Sequence, residues 1–396
     1  MSIHPVPPAQ LTVAARAAVP PFHVMDIWAA AAERRRTHGD LVNLSAGQPS
    51  TPAPAAVRAA AAAALDGDVL GYTVALGIPE LRDAIAAHYA RTYALDVPAQ
   101  QVVVTTGSSG GFLLAFLAAF DVGDRVALAR PGYPCYRNIL TALGCEVVDL
   151  PCGPQTRYQP TVAMLEALDE PVRGLVVASP ANPTGTVLDP AELAALAEYC
   201  EQTGVQLVSD EIYHGISYEG APATSSAWVT SAEAIVVNSF SKYFSMTGWR
   251  LGWLLVPPRL LRAVDRLTGN FTICPPALAQ RAAMGAFEEP SYAEVDGHVA
   301  RYAVNRALLL EGLAGLGITR LAPADGAFYV YADVSHLTHD SMDFTHRLLA
   351  ETGVAVAPGV DFDPVDGGQF IRLSFAGATA DITAALERLA VWLPRA

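Results

Sequence analysis

Lysine is almost absent from this chain: of its 25 basic residues all but one are arginine, and the exception is Lys242. Long apolar runs are missing too. The longest, Gly111–Phe120, is about half of the ~18–20 residues that a membrane span requires, so no membrane partner is expected although 52% of the residues are hydrophobic. Positive charge is scarce and scattered. With a net charge of −14 and no basic cluster longer than Arg34-Arg35-Arg36, the chain lacks the electrostatic footprint of a nucleic-acid binder. The five cysteines are odd in number and form no C-x-x-C pair, which argues against a disulfide framework and against structural zinc. They read as small buried apolar residues. The opening Met1 to Pro8 has neither a basic nor an apolar stretch, so no secretory signal is expected and the expected address is cytoplasmic.

What is present is a chain of 396 residues, 16% of them charged, which is enough for a large core and two or three domains. In a sequence where arginine serves wherever a positive charge is wanted, the one lysine is of interest for what arginine cannot do. It can lose its proton and attack a carbonyl, forming a Schiff base. Chance retention is the alternative, and the surroundings of Lys242 discriminate between the two.

After a proline-rich leader, Phe22–His38 reads as an amphipathic helix stopped by Gly39. Helices are expected near Pro54–Leu65 and Pro79–Tyr93. Strands are expected at Gln101–Thr106, Arg125–Ala129, Glu146–Leu150, Gly174–Ala178, Gln206–Ser209, Ala234–Asn238 and Leu251–Val256. Helical stretches alternate with them (Gly111–Phe120, Tyr136–Leu143, Thr161–Leu168, Ala191–Glu201), so the connections are crossovers and the sheet is mainly parallel and covered on both faces. Beyond about Pro290 the pattern becomes a long helix (Tyr292–Leu316), strands at Phe328–Ala332, Val354–Ala357 and Phe370–Ser374, and a last helix at Ile382–Trp392. The expected fold is α/β: a large domain over 45–289 with a seven-stranded sheet between helices, a smaller α+β domain over 290–396, and an arm and first helix (1–44) joining the small domain.

Lys242 lies in Ser239-Phe240-Ser241-Lys242, after an apolar strand, with Gly248-Trp249-Arg250 close behind. An arginine fork and two hydroxyls so near suit a phosphate dianion, and a lysine able to condense with a carbonyl beside a phosphate pocket points to pyridoxal phosphate. That cofactor needs a carboxylate to keep its ring nitrogen protonated. Asp210 supplies one at a strand end, with Tyr213 three residues on to address the ring oxygen; a helix N-cap is the plain alternative for Asp210. The turn Thr106-Gly107-Ser108-Ser109 before an apolar helix offers backbone N–H groups for the phosphate. It is neither G-x-G-x-x-G nor a P-loop, which disfavours nucleotides.

Eight landmarks stand in one order: Ser45-Ala46-Gly47-Gln48-Pro49, Gly71-Tyr72 with Gly77-Ile78-Pro79, Thr106-Gly107-Ser108-Ser109, Pro131-Gly132-Tyr133-Pro134, Asn182-Pro183-Thr184-Gly185, Asp210-Glu211-Ile212-Tyr213, Ser239-Phe240-Ser241-Lys242 and Ile371-Arg372-Leu373-Ser374. Along roughly Pro20 to Trp392 the chain resembles the fold-type-I pyridoxal-phosphate enzymes of aminotransferase class I and II. The resemblance implies that Lys242 holds the cofactor and moves the substrate proton. It implies that Asp210 pairs with the ring nitrogen, Tyr213 and Asn182 with the ring oxygen, and that Tyr133 stacks on the ring. Ser108, Ser109, Ser239 and Arg250 would hold the phosphate, and Tyr72 would reach the phosphate of a neighbouring subunit, implying a homodimer with shared sites. Arg372, helped by Asn182 and the Gly47 backbone, would grip the substrate α-carboxylate. On the residues alone, Tyr133 could be an ordinary half-buried aromatic and Arg372 could pair with a protein carboxylate.

Members of the family that act on aspartate place a cation against the distal carboxylate. At the matching positions this chain has Gly269 and Ser109, neither charged, so a neutral amino acid is expected; Arg137 and Arg16 are the candidates for a substitute cation. The branch that the chain most resembles, actinobacterial valine–pyruvate transaminases, implies valine or alanine with pyruvate or 2-oxoisovalerate. Phe22 or Val24 would touch the substrate from an arm acting as a lid, or would only staple the first helix. The alternatives are an aspartate or aromatic aminotransferase, a C–S lyase on the same fold, and a non-catalytic regulatory module, against which the charge of −14 argues. A metal hydrolase built on the nine histidines, His4, His23, His38, His88, His214, His298, His336, His339 and His346, lacks any ligand spacing.

Overall fold

The computed structural model describes residues 12–395; His4 and the opening Met1 to Pro8 lie outside that range. The chain starts with α1 (His23–His38), ended by Gly39 in the left-handed conformation, and β1 (Val42–Asn43). Then come α2 (Ala55–Gly67), α3 (Pro79–Tyr93), β2 (Val102–Thr105), α4 (Gly107–Ala119), β3 (Arg125–Arg130), α5 (Pro134–Leu143) and β4 (Glu146–Pro151). They are followed by α6 (Val162–Glu166), β5 (Gly174–Ala178), α7 (Pro190–Thr203), β6 (Gln206–Asp210), β7 (Ile235–Ser239) and β8 (Gly252–Leu255).

These seven strands, β2 to β8, form one sheet in the order β2-β8-β7-β6-β5-β3-β4. Only β8 runs against its neighbours, because the loop that joins it to β7, residues 240–251, returns the chain alongside β7 without a crossover helix. Strand residues alternate between two cores. Leu175, Val177, Leu207, Val236 and Trp253 pack on one face with Leu193, Leu196 and Tyr89, while Val126, Val176, Val208, Val237 and Leu254 pack on the other with Phe112, Phe116 and Tyr136. Burial on both faces is why these segments read as unbroken apolar runs.

The chain continues through α8 (Pro258–Phe271), α9 (Ala277–Ala283) and α10 (Glu289–Gly315), then β9 (Tyr329–Asp333), α11 (Ser341–Thr352), β10 (Val354–Ala355), β11 (Ala357–Pro358), β12 (Phe370–Ser374) and α12 (Thr379–Trp392). The stretch Val354–Ala357, expected as one strand, is divided between two sheets: β10 pairs in parallel with β1, and β11 pairs antiparallel with β12, which in turn pairs with β9. One short segment serves two partners because the sheets meet at Val356. The helices α8, α9 and α11 are not among the elements expected from the sequence, although α8 buries Leu260, Val264 and Thr268 at helical spacing. α1 packs against β11 and α11, and α10 touches both α2 and α12. Among the described residues no helix is long and apolar enough to cross a membrane, and no three His, Cys, Asp or Glu side chains gather to hold a metal ion.

Candidate active site

The carboxyl ends of the parallel strands open on one crevice. β2 runs into Gly107, β3 into the turn that carries Tyr133, β5 toward Asn182, and β6 ends on Asp210; the β7–β8 loop carries Lys242 and Arg250. Such ends are where open α/β sheets bind ligands. A cavity of about 170 Å³ lies here, lined among others by Gly47, Ser108, Ser109, Tyr133, Asn182, Asp210, Tyr213, Lys242, Arg250 and Arg372.

Lys242 donates from Nζ to the Gly47 carbonyl at 2.6 Å and lies 5.5 Å from the centre of the Tyr213 ring. Burial, and after it the Arg372 cation, bring its amine down from 10.5 to about 8. An appreciable fraction is therefore unprotonated near neutral pH. Asp210, 3% exposed, accepts from the Ile212 amide at 3.1 Å and from the Tyr136 hydroxyl. Burial raises it to about 6, against the pull of those hydrogen bonds and of Lys242. A buried carboxylate at the floor of a cavity is stabilised by a cationic partner.

At the other end of the cavity α4 begins without a side-chain cap, leaving its first backbone N–H groups to a ligand. Gly107 adopts φ +70°, and a Cβ there would stand 2.6 Å from the Arg250 guanidinium. Arg250 donates to the Thr247 carbonyl at 3.0 Å, and Ser108, Ser109, Ser241 and Thr247 line the same end. Open amides, hydroxyls and a guanidinium make an anion cradle.

Arg372, in the middle of β12, is 3% exposed. Its guanidinium carbon lies 4.4 Å from the Tyr329 ring centre and 4.8 Å from that of Phe362. It donates to Asn182 Oδ1 at 2.9 Å and to the Ser45 carbonyl at 2.7 Å, and its Nε is buried without a protein partner. These neutral acceptors stand where the ion-pair alternative would have a protein carboxylate. A buried guanidinium with a spare donor has the chemistry to receive a carboxylate. The same contact holds the Asn182 carbonyl and leaves its amide NH₂ for another acceptor, while the Tyr213 hydroxyl hydrogen-bonds the Tyr329 hydroxyl at 2.7 Å.

Two sequence-predicted residues stand outside the cavity. Ser239 turns its hydroxyl to the Leu251 carbonyl at 3.3 Å and accepts the Ser241 amide at 3.0 Å. It shapes the turn from behind, and Ser241 takes the place at the wall. Tyr72 is 84% exposed and lies away from the cavity of its own chain. Neither candidate cation reaches the wall: Arg137 pairs with Asp149 and borders a neighbouring cavity of about 280 Å³, and Arg16 is exposed. Phe22 and Val24 do line the site, as do Trp28, Tyr136, Ile212 and Tyr329, which the sequence reading missed. Tyr136 stands three residues from Tyr133 and Trp28 four from Val24, the helical spacings that would have flagged them.

The sequence profile of the family "Aminotransferase class I and II" matches residues 39–389. The chain belongs to this family. It is 69% identical to the valine–pyruvate aminotransferase of Mycobacterium tuberculosis, covering 96% of this chain and 98% of the relative. It is 37% identical to the aspartate/prephenate aminotransferase of Thermus thermophilus over the same shares. Among solved structures, an aminotransferase from Mycobacterium tuberculosis superposes with a TM-score of 0.97 at 68% identity, covering 98% of this chain and 100% of that one. This aminotransferase is pyridoxal-phosphate-dependent and acts on amino and 2-oxo acids. Its cavity fits the cofactor: a buried carboxylate, a lysine of lowered pKa and an anion cradle stand around one space.

Proposed function

We propose that this aminotransferase exchanges an amino group between a neutral amino acid and a small 2-oxo acid, valine or alanine with pyruvate or 2-oxoisovalerate. The observation that carries this reading is the charge inventory of the cavity. Among the described residues its only cations are Lys242, Arg250 and Arg372, and the remaining wall includes Phe22, Val24 and Trp28. A distal substrate carboxylate would be desolvated there without a partner. The name of the Mycobacterium tuberculosis relative supports the same choice.

Pyridoxal phosphate supplies the electron sink that lets the Cα–H bond of an amino acid break. Asp210 would pair with its ring nitrogen, Tyr213 and the Asn182 amide with its ring oxygen, and Tyr133 would cover its face. Ser108, Ser109, Ser241 and Arg250 would hold its phosphate. Arg372 would bind the α-carboxylate through its fork, with the Gly47 backbone beside it, and Lys242 would take the Cα proton, for which its lowered pKa suits it.

The reading includes a cytoplasmic homodimer, built from a large body at 45–289 and a small one at 290–395 joined by 12–44, the rest of the expected 1–44 and 290–396 lying outside the described residues. In its favour, the five cysteines are free. Val69, Tyr72, Val74, Phe271 and Ile273 are exposed apolar side chains on two segments tied by the Thr73 amide to Cys274 Sγ at 3.4 Å. A second copy would cover such a face and receive Tyr72 at its phosphate.

The test is the half-reaction of cofactor-loaded enzyme with single amino acids, read as loss of the bound cofactor's absorbance. Fast loss with valine and alanine, little with aspartate, and a 2-oxo acid product without free ammonia are expected; Lys242→Ala should slow the reaction by roughly 10³-fold or more. Fast loss with aspartate would overturn the neutral-substrate reading.

A further inference from the structure

Phe22, Val24 and Trp28 reach the cavity from the start of α1, yet nothing local caps that helix. The residue at its amino-terminal boundary is Phe22, which has no side-chain acceptor. The cap comes from 338 positions away: Asp361 accepts the His23 amide through Oδ1 at 2.7 Å and the Val24 amide through Oδ2 at 2.6 Å. Asp361 is 8% exposed; burial raises its carboxyl above the usual carboxylate range, against the pull of the two amides and of the positive end of the helix dipole. Held there, Phe22 sets its ring edge-on to Tyr133, with centroids 6.0 Å apart.

The residues that follow Asp361 tie the same segment to the rest of the site. Phe362 packs its ring against the Arg372 guanidinium, and its carbonyl accepts the Gly132 amide at 2.9 Å, next to Tyr133. Asp363 pairs with Arg130 at 2.7 Å. The segment keeps its shape because the backbones of Gly359 and Gly367 touch so closely that a Cβ on either would strike the carbonyl of the other. Three consecutive residues thus contact the arm, the carboxylate receptor and the large domain.

We propose that Asp361 is a positioning residue for side-chain selection. It fixes the first turn of α1 so that Phe22, Val24 and Trp28 form the wall against which the substrate side chain packs, and it influences the choice of amino acid without touching it. The proposal rests on the neutral-substrate reading above. A branched side chain draws more on an apolar wall than a methyl group does, so a displaced arm costs valine more than alanine.

The experiment compares the wild-type holoenzyme with Asp361→Ala, Asp361→Asn and Phe22→Ala, and with the double variant of Asp361→Ala and Phe22→Ala. In Asp361→Ala, kcat/KM for valine should fall about tenfold or more, mainly through KM, while that for alanine stays within about threefold; the bound cofactor's absorbance should not change. Asp361→Asn keeps one carbonyl acceptor and should fall between, and it serves if the alanine variant does not fold. The double variant should lose little more than the worse single variant, since both act through one wall. Equal losses for valine and alanine, or additive losses in the double variant, would overturn the proposal. If wild type prefers aspartate, it is the neutral-substrate reading that fails, and the coupling between positions 22 and 361, measured with the amino acid turned over fastest, decides the role of Asp361.

Discussion

Burial moves the acids and bases at the heart of this molecule toward their neutral forms, and consecutive residues use that differently. Asp210 faces the cavity, whereas Glu211 points away, accepting the Ala227 amide at 2.8 Å and the hydroxyls of Ser209 and Ser226 at 3.1 Å. Burial raises Glu211 from 4.5 to about 8 and lowers the adjacent His214 to about 3. Because folded Glu211 binds its proton more tightly than the unfolded chain does, its contribution to stability is complete below about pH 4.5 and is lost as pH rises through about 8. Glu211→Gln keeps the acceptor and removes the titration. Its thermal midpoint should therefore gain on that of wild type as pH rises from 4.5 to 8.5, and a constant difference across that range would contradict the assignment. At this scale the sequence was most legible where residue type alone limits the chemistry, as with one lysine among arginines. It was least legible at Ser239 and Ser241, where the direction of a hydroxyl depends on the hydrogen bonds of the turn.

Elements place these side chains, and α4 does so by its first residue. Gly107 combines a positive φ with the close approach of Arg250. Alanine there would cost about 1–2 kcal/mol in backbone strain and would push the guanidinium out of the anion cradle. Gly107→Ala should weaken pyridoxal phosphate binding by about tenfold or more, since a charge-assisted hydrogen bond is worth about 1.5–3 kcal/mol. Titration of apoenzyme followed by absorbance measures this, with far-ultraviolet circular dichroism unchanged; unaltered affinity would mean that the α4 terminus is not the anion site. The strands of the large sheet were readable because burial on two faces leaves an apolar run. α8 and α11 do carry legible apolar stripes, Leu260, Val264 and Thr268 in one and Phe344, Thr345 and Leu348 in the other, which went unassigned among the longer runs; α9, with seven residues, is too short to show a period, and Val354–Ala357 was misread because the partners of a two-residue strand are not written in it.

Across the whole molecule, Arg130 at the end of β3 binds Asp363 at 2.7 Å and Asp366 at 2.9 Å, joining the large sheet to the segment that holds α1 and Arg372. The Arg130 and Asp363 side chains are 10% and 7% exposed. Arg130→Ala would leave Asp363 buried without its cation, held only by the Val365 and Asp366 amides at 2.9 and 3.0 Å, at a cost of about 3 kcal/mol. A fall of several degrees in the thermal midpoint of the holoenzyme is expected, and an unchanged midpoint would show that solvent replaces the pair without loss.

Residue order alone carried the local chemistry: Lys242 as the amine that can react, Asp210 at a strand end, the Gly-Ser turn before an apolar helix, and the alternation that makes a mainly parallel sheet. These depend on residue type and short spacing, which the chain displays directly. Arg372 and Asn182 could be assigned together only by resemblance. Their contact, the Ser45 carbonyl beside them and the neutrality of the wall were decided by the tertiary structure. So was the cap that Asp361 provides for α1. Each of these joins groups far apart in the chain, and the hydrogen bonds and burial that bring them together leave no periodic mark on the segments involved.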